Sequence, residues 1–387
     1  MISKRAQRIR PFHVMEVLDR AKAMIAQGRD VVRLEVGEPT FPTPPAIRKA
    51  AQDALEQDST RYTPALGIPE LRQAVASWYK DTYNVSVDPH RVVITTGTSG
   101  AFLLLFSLLL DVGESLVVSD PGYPCYTNIL ESVGAEVVRV PVGPERRYHL
   151  DQTAVQSVIT DKVRGVLVTS PSNPTGTVID DDSFAALIRW CERAGRFLIS
   201  DEIYHGITYG RSATTALSLS DQAIVVNGFS KFFGMTGWRV GWMVVPETLV
   251  RPAERLAQNL FISAPTVAQK AALAAFESLD LLQEQVQSFD RNRKVLLPAL
   301  REMGFGITTE PEGAFYIYAD VSDLLEKTGL ADAMALSNAL LEWAEVAVTP
   351  GVDFGQHRAD CHLRFSYACR LERVEEGIRR IKRFLSP

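Results

Sequence analysis

A lysine and an arginine eight residues apart, Lys231 and Arg239, make the most chemically distinctive stretch of the sequence. They lie between two apolar runs, residues 223–226 and 240–245, which predict buried strands. A lysine on a loop that leaves a buried strand is held at a sheet edge, where it can lose its proton, act as a nucleophile and form imines with carbonyl compounds. Arg239 would be a planar, permanently charged partner for a phosphate. Ordinary surface loops also carry this pair, so the spacing alone leaves both interpretations open.

A second possible anion site lies in residues 96–100, a short turn rich in glycine and hydroxyl side chains. It follows a strand predicted over residues 92–95 and precedes an apolar helix predicted over residues 101–110. Free N–H groups and the dipole at the start of a helix favour an anion, and Thr98 and Ser99 would be further donors. Many strand-to-helix turns contain glycine and serine, so this signal is weak by itself.

Two more charged residues lie in segments that predict strands. Asp201 follows the apolar run 197–199, and carboxylates are rarely buried without a partner. A cation would be such a partner, although the pair Asp201-Glu202 would also suit a helix cap. Arg364 lies in the predicted strand 361–368, where its guanidinium could bind a carboxylate through two parallel hydrogen bonds. A lone strand arginine is equally well explained as an exposed charge.

The string from Ser230 to Arg239 resembles the S-K-x-x-x-M-x-G-x-R motif of class I/II aminotransferases, fold-type I enzymes whose lysine forms a Schiff base with pyridoxal 5'-phosphate (PLP). Other family segments match in the same order over nearly the whole chain. They are G-x-P at Gly37, Y-x-x-x-x-G-x-x-x-L-R from Tyr62, an aromatic residue at Tyr123, N-P-T-G from Asn173, D-E-x-Y from Asp201, G-x-F/Y at residues 313–315 and R-F-S from Arg364.

The resemblance implies a role for each matching residue. Lys231 would hold the cofactor and move a proton between substrate and cofactor, with Asp201 and Tyr204 as the other catalytic residues. The implied cofactor contacts are Asp201 at the ring nitrogen, Asn173 and Tyr204 at the phenolic oxygen, Tyr123 against the ring, and Gly97, Thr98, Ser99, Ser230, Arg239 and Tyr62 at the phosphate.

The same resemblance implies a homodimer and a substrate site. Tyr62 would reach across to the cofactor of a second copy of the chain. Gly37, Asn173 and Arg364 would bind the substrate, with Arg364 at its α-carboxylate. Tyr126, close to the stacking position, is expected to pack rather than to stack on the ring.

The composition excludes several classes of partner. The 387 residues are 46% hydrophobic, and the net charge of −5 with a pI near 5.8 argues against nucleic acid. The apolar segment 101–110 is too short to span a bilayer, and no apolar signal core follows the basic start. The four cysteines lack metal-site spacing and no H-E-x-x-H pattern occurs, so we expect no metal site and a cytoplasmic location.

Strand-like and helix-like segments alternate from residue 91 to residue 245, which predicts α/β layering with a mostly parallel sheet. We expect a three-layer α/β/α large domain over residues 45–285, the fold-type I architecture that the resemblance implies. A smaller α+β domain is expected over residues 286–387, and the segment 1–44 is expected to join it.

The sequence therefore predicts a PLP-dependent aminotransferase that acts on small amino and 2-oxo acids by a ping-pong mechanism. The apolar residues 260–262 lie where relatives approach the substrate side chain, which suggests an apolar, aromatic or alanine-like donor and an acceptor such as 2-oxoglutarate. A PLP-dependent C–S β-lyase, a decarboxylase and an aspartate aminotransferase stay open as alternatives. A transcription regulator of related fold is not expected, because few residues precede the family match.

Overall fold

A seven-stranded sheet forms the centre of the molecule. The computed structural model describes residues 2–386. In chain order, the strands of this sheet and of two smaller ones are β1 Val32–Arg33, β2 Val92–Thr95, β3 Ser115–Asp120, β4 Glu136–Pro141, β5 Val163–Thr169, β6 Phe197–Asp201, β7 Ile224–Gly228, β8 Gly241–Val244, β9 Tyr316–Asp320, β10 Val346–Ala347, β11 Thr349–Pro350 and β12 His362–Ser366.

Helices make up most of the rest of the described chain. They are α1 Lys4–Arg8, α2 His13–Ala26, α3 Pro45–Glu56, α4 Pro69–Tyr83, α5 Gly97–Leu109, α6 Pro124–Val133, α7 Gln152–Gln156, α8 Asp181–Arg193, α9 Glu247–Leu260, α10 Thr266–Leu273, α11 Leu279–Glu302, α12 Ser322–Thr328, α13 Ala333–Ala344 and α14 Leu371–Leu385. Between Ile2 and Ser386, no helix is long and apolar enough to cross a bilayer.

The large sheet is mostly parallel, as the sequence predicts. Its strand order is β2-β8-β7-β6-β5-β3-β4. Neighbouring strands from β7 to β4 pair in parallel, whereas β8 is antiparallel to both β7 and β2. Parallel strands end at one common edge, so the loops that follow β5, β6 and β7 are brought together there.

Both faces of this sheet are covered by helices. Along β7, Val225 packs into one apolar cluster, whereas Ile224 and Val226 pack into a second cluster on the opposite face. α8 contributes Phe184 to the first cluster and α5 contributes Phe102 to the second. Because successive strand residues point to opposite faces, this division indicates a helix layer on each side. The three-layer α/β/α prediction is confirmed.

The two smaller sheets join the start of the chain to its last third. β1 pairs in parallel with β10, with Val32 opposite Val346. β11, β12 and β9 form an antiparallel sheet in that order. This pairing supports our proposal that residues 1–44 and 286–387 make one smaller domain. α11 runs without interruption across residues 285 and 286, so the proposed boundary lies inside a helix that both parts share.

One expected boundary is wrong. α5 begins at Gly97, whereas the sequence predicts a turn over residues 96–100 and a helix from residue 101. N–H groups in the first turn of a helix have no intrahelical acceptor, so residues with low helix propensity cost little stability there. Gly97 also has φ +70°, which glycine adopts without strain. The hydroxyl-rich segment is therefore the first turn of the helix itself.

Candidate active site

The predicted site residues converge at the edge where the parallel strands end. Asn173 lies on the loop after β5, Asp201 is the last residue of β6, and Lys231 lies on the loop after β7. All three line a cavity of about 160 Å³. This edge is the place where open α/β sheets hold their ligands.

Half of the residues that line this cavity are among those predicted from the sequence. The predicted ones are Gly37, Thr98, Tyr123, Asn173, Asp201, Tyr204, Lys231 and Arg364. The others are Phe12, Val14, Met15, Val36, Tyr126, Thr169, Ile203 and Tyr316. The predicted residues Tyr62, Gly97, Ser99, Ser230 and Arg239 do not line it.

The loop that carries Lys231 is fixed by buried aromatic side chains. Phe229 and Phe233 are almost fully buried, and their rings lie 5.0 Å apart between centroids. Phe229 also packs against Trp242 of β8, with centroids 4.9 Å apart. The backbone N–H of Met235 donates to the carbonyl of Phe229 at 3.0 Å and closes the turn. The buried rings of Phe229 and Phe233, on either side of Lys231, therefore hold its loop against the core.

The Lys231 ammonium is poorly solvated. Its Nζ donates to the backbone carbonyl of Gly37 at 2.7 Å. Burial and, to a lesser degree, the positive charge of Arg364 together lower the pKa of Lys231 to about 8. About a tenth of the lysine is therefore unprotonated at pH 7, and about half at pH 8. That is the property required of a nucleophilic or proton-transferring amine.

Asp201 is a buried carboxylate with two donors. Tyr126 donates its hydroxyl to one carboxylate oxygen, and the backbone N–H of Ile203 donates to the other at 3.1 Å. Burial raises the pKa of Asp201 to about 6, against the opposing effect of these two hydrogen bonds. A cation placed in the cavity would favour the ionised form. Asp201 is thus suited to pair with a protonated ring nitrogen.

Tyr126 has more than the packing role expected for it. Besides its bond to Asp201, its hydroxyl lies 2.8 Å from the hydroxyl of Thr169 at the end of β5. α6 presents the tyrosine to the neighbouring strand ends. No local pattern in the sequence distinguishes a tyrosine whose ring packs from one whose hydroxyl also binds a carboxylate.

Glu202, next to Asp201, faces away from the cavity. Its carboxylate accepts from the hydroxyl of Thr215 at 2.9 Å and from the backbone N–H of Ala216 at 2.8 Å. Burial raises the pKa of Glu202 to about 8. Successive side chains point in opposite directions at the end of β6, so the carboxylates of Asp201 and Glu202 have separate surroundings.

Arg364 is held by acceptors that keep part of its guanidinium available. Nη1 donates to the Oδ1 of Asn173 at 2.9 Å, and Nη2 donates to the carbonyl of Glu35 at 2.6 Å and to the hydroxyl of Thr349 at 3.3 Å. Its Nε is buried without a hydrogen-bond partner among the described residues. Phe354 lies on it at 4.7 Å from the guanidinium carbon to the ring centroid. The arginine thus retains donor capacity for a carboxylate.

Tyr204 and Tyr316 form a pair of buried phenols. Their hydroxyl oxygens are 2.8 Å apart. Burial raises the pKa of both, so both are neutral near neutral pH. In the sequence, Tyr316 is only the residue that follows the segment 313–315, and nothing marks it as a site residue. In the structure it is the first residue of β9, and the strand directs its side chain into the cavity.

Four of the predicted phosphate contacts, Gly97, Thr98, Ser99 and Arg239, lie at the start of α5. Its N-cap residue, Thr96, makes no side-chain capping hydrogen bond, so the first-turn N–H groups have no side-chain acceptor at the cap. Arg239 lies beside this turn. A Cβ added to Gly97 would be 2.6 Å from Arg239 Nη2, so a glycine is required for the arginine to approach. Ser99 is exposed on this turn, whereas Ser230 is buried and directly precedes Lys231 in the chain.

Tyr62 lies on the surface of the single chain. It is 80% exposed, and Leu260 and Ile262 are 48% and 50% exposed. Such large exposed apolar side chains commonly mark an interface. The cavity lining includes none of these three residues.

An apolar wall of the cavity comes from the start of α2, which the sequence did not reveal. Phe12, Val14 and Met15 line it, and the ring of Phe12 meets Tyr123 edge-on with centroids 6.3 Å apart. The Asp353 carboxylate accepts from the backbone N–H groups of His13 and Val14, each at 2.7 Å, and so fixes the helix start. The contact spans most of the chain, and no local signal predicts it.

Comparison with known proteins gives matches over nearly the full length. Residues 29–381 match the sequence profile of the family described as aminotransferase class I and II. The valine–pyruvate aminotransferase of Mycobacterium tuberculosis is 42% identical over 379 residues, which are 97% of this chain and 96% of that protein. The crystal structure of an aminotransferase from Mycobacterium tuberculosis matches with a TM-score of 0.94 at 41% identity, over 100% of this chain and 99% of that one.

A second solved structure agrees. The aspartate aminotransferase of Thermus thermophilus with maleate matches with a TM-score of 0.93 at 33% identity, over 99% of each chain. Members of this family use PLP and act on small amino and 2-oxo acids. The family profile, the relative at 42% identity and the solved structures of the same fold each cover almost the whole chain. The chain therefore belongs to the class I and II aminotransferases, which are transferases of nitrogenous groups.

Proposed function

We propose that this aminotransferase binds PLP at Lys231 and moves an amino group from an apolar L-amino acid to a 2-oxo acid such as 2-oxoglutarate. The observation that carries the proposal is one cavity lined by a lysine with a lowered pKa, a buried carboxylate and an arginine with spare donors. Alternating use of the two acids at this one cavity would give ping-pong kinetics.

The residues fit the ring of this cofactor. Asp201 supplies the buried negative charge that a pyridinium nitrogen requires. The Asn173 oxygen accepts from Arg364, which directs the amide NH₂ away from the arginine and leaves it free for the phenolic oxygen. Tyr204 is the second donor for that oxygen, and Tyr123 is the aromatic side chain placed to lie against the ring.

The residues at the start of α5 fit the phosphate. The first-turn N–H groups, the hydroxyls of Thr98 and Ser99 and the guanidinium of Arg239 would act together on one anion. Ser230 would add a further donor. Gly97 fits this role because a side chain there would displace Arg239.

When bound, the cofactor supplies an aldehyde for the amino group and a ring that delocalises the charge left after loss of the α-proton. Lys231 takes that proton as a general base and returns it as a general acid, because its pKa is close to neutral pH. Its hydrogen bond to the Gly37 carbonyl holds the amine at the cavity wall. Gly37 would border the substrate from the same side.

Arg364 orients the substrate through its α-carboxylate. The carboxylate would take the remaining N–H donors of the guanidinium, including the unpartnered Nε. Phe354 and Tyr316 enclose the guanidinium between two rings, which limits its solvation. A fixed carboxylate places the C–H bond to be broken within reach of Lys231.

The wall from the start of α2 supports an apolar donor. Phe12, Val14 and Met15 offer no partner for a second carboxylate, and among residues 2–386 the only Lys and Arg side chains in the cavity lining are Lys231 and Arg364. Burying a charged side chain there would leave it without a counter-charge.

We also propose a homodimer in which Tyr62 reaches the phosphate of the other copy. The exposure of Tyr62 together with Leu260 and Ile262 supports this, because association would remove all three from water. Sedimentation at several concentrations measures the assembly, and a monomer at micromolar concentration would contradict it.

The cofactor proposal is tested by colour and by trapping. The purified protein should be yellow, and reduction with borohydride should fix the cofactor on the peptide that contains Lys231. Lys231→Ala should abolish transamination, and full activity in this variant would refute the role of the lysine.

The substrate proposal is tested by rates with a panel of donors. Leucine, phenylalanine, methionine, valine and alanine are compared with aspartate at fixed 2-oxoglutarate. A preference for aspartate by about a hundredfold would refute the apolar donor. Release of pyruvate and ammonia from cystathionine without any 2-oxo acid would instead indicate a C–S β-lyase.

A further inference from the structure

Tyr316 contacts two candidate site residues through opposite parts of its side chain. Its hydroxyl oxygen is 2.8 Å from that of Tyr204. Its ring lies under the guanidinium of Arg364, with the carbon Cζ 4.3 Å from the ring centroid. The side chain is almost fully buried and lines the cavity.

We propose that Tyr316 is a positioning residue with two separable parts. Its hydroxyl sets the direction in which the Tyr204 hydroxyl donates, and its ring holds the Arg364 guanidinium in place for the substrate carboxylate. The inference rests on the proposed function, because it takes Tyr204 as a donor to the phenolic oxygen of the cofactor.

The number of phenolic protons determines the direction of the hydrogen bond between Tyr204 and Tyr316. Each neutral phenol has one proton to donate. If Tyr204 donates its proton to the cofactor, the 2.8 Å contact requires Tyr316 to donate to Tyr204. A hydroxyl that accepts a hydrogen bond is a stronger donor in turn. Tyr316 therefore strengthens the bond from Tyr204 to the cofactor and stabilises negative charge on the phenolic oxygen.

The position of this hydroxyl is fixed by Gly37. A Cβ added to Gly37 would lie 1.9 Å from the Tyr316 hydroxyl oxygen, so any side chain at this position would push the tyrosine aside. The Gly37 carbonyl also accepts from Lys231 at 2.7 Å. Gly37 therefore lies against both the Lys231 amine and the Tyr316 phenol, and a side chain at position 37 would collide with the phenol.

The register between β9 and β12 brings the Tyr316 ring next to Arg364. Tyr316 lies opposite Ser366, and Tyr318 lies opposite Arg364, across the antiparallel pair of β9 and β12. Tyr316 and Arg364 are therefore diagonal neighbours, within reach of long side chains. A guanidinium over an aromatic ring in a buried site is attracted to it and loses freedom to move.

The experiment compares three variants of the cofactor-loaded protein. Tyr316→Phe removes only the oxygen, and Tyr316→Leu removes the ring as well. Tyr318→Phe is the matched control, because Tyr318 is in the same strand with a buried hydroxyl that has no partner among the described residues. Its ring stacks on His362 outside the cavity, with centroids 4.6 Å apart.

The hydroxyl is tested by the pH dependence of the absorption of the bound cofactor. Tyr316→Phe should raise the pH midpoint of that absorption change, on the order of 0.3 pH unit. A shift no larger than that of Tyr318→Phe would overturn this part. In a Tyr204→Phe background the shift should vanish, and an equal shift there would show that Tyr316 does not act through Tyr204.

The ring is tested by steady-state kinetics. Tyr316→Leu should raise KM for the amino acid about tenfold, whereas Tyr316→Phe should stay within about twofold of the wild type. An unchanged KM in Tyr316→Leu would overturn this part. A wild-type protein that takes up no PLP would refute the proposed function itself, whereas normal uptake with unchanged variants would refute only the inference about Tyr316.

Discussion

Replacing Lys231 with methionine should stabilise the cofactor-free protein, but only below the pKa of the lysine. Burial lowers that pKa from 10.5 to about 8, which corresponds to about 3 kcal/mol of unfavourable free energy for the charged form. Methionine removes this cost, but it leaves the Gly37 carbonyl without its donor. An unpaired buried acceptor costs about 1–3 kcal/mol. At neutral pH the net gain should be about 1 kcal/mol.

The pH dependence gives the sharper form of this prediction. The pKa of Lys231 is lower in the folded state, so the unfolded chain binds more protons between pH 8 and pH 10.5. Wild-type stability therefore rises with pH across this window, and the variant lacks that rise. The advantage of Lys231→Met should be greatest below pH 8 and should fall by up to about 3 kcal/mol by pH 10.5.

The measurement is urea denaturation of the cofactor-free wild type and variant between about pH 7 and about pH 10, at one protein concentration. Lys162→Met is the control, because the Lys162 side chain is 67% exposed and its ion pair with Glu136, at 3.9 Å, is open to water. The stability difference of Lys231→Met should change with pH more than that of Lys162→Met. A stability difference for Lys231→Met that is constant across the range would refute the reasoning from burial.

Three further substitutions test the contacts around the cavity. Tyr126→Phe removes the hydroxyl donor of Asp201, and the dissociation constant of PLP measured by equilibrium dialysis should rise about tenfold; an unchanged constant would assign Tyr126 to packing alone. Gly37→Ala should displace Tyr316 and lower kcat/KM by at least about tenfold in steady-state assays, and normal kinetics would contradict that close contact. Arg364→Lys cannot form two parallel bonds to a carboxylate, and KM for the amino acid should rise about a hundredfold; a rise below about fivefold would count against the role of the arginine.

The residues that the structure brings to the predicted edge of the sheet are those tied to strand ends. Asp201 and Lys231 each follow an apolar run, and the runs prove to be the parallel strands β6 and β7. Parallel strands end at one edge, so a residue just after such a run has a predictable place before any contact is known. The layered fold follows from the same alternation of strands and helices.

The positions that the sequence does not predict depend on contacts between distant parts of the chain. Phe12 reaches the cavity because Asp353 fixes the start of α2. The Tyr126 hydroxyl has its partner Asp201 at the end of β6, and the Tyr316 hydroxyl has its partner Tyr204 on the turn after that strand. The hydrophobic pattern of a segment indicates which face a side chain occupies. The partner of a buried hydroxyl is decided by tertiary packing.

The long separation between Arg364 and Glu35 implies an order of assembly during synthesis. The two residues are 329 positions apart, whereas all strands of the large sheet lie between Val92 and Val244. Parts of a chain that emerge first can fold first. The sheet and the loop of Lys231 can therefore be in place on the ribosome before Arg364 has been made. If the chain binds PLP as proposed, a nascent chain in that state would have the amine of Lys231 without the guanidinium of Arg364, so the cofactor could bind before a substrate carboxylate can be held.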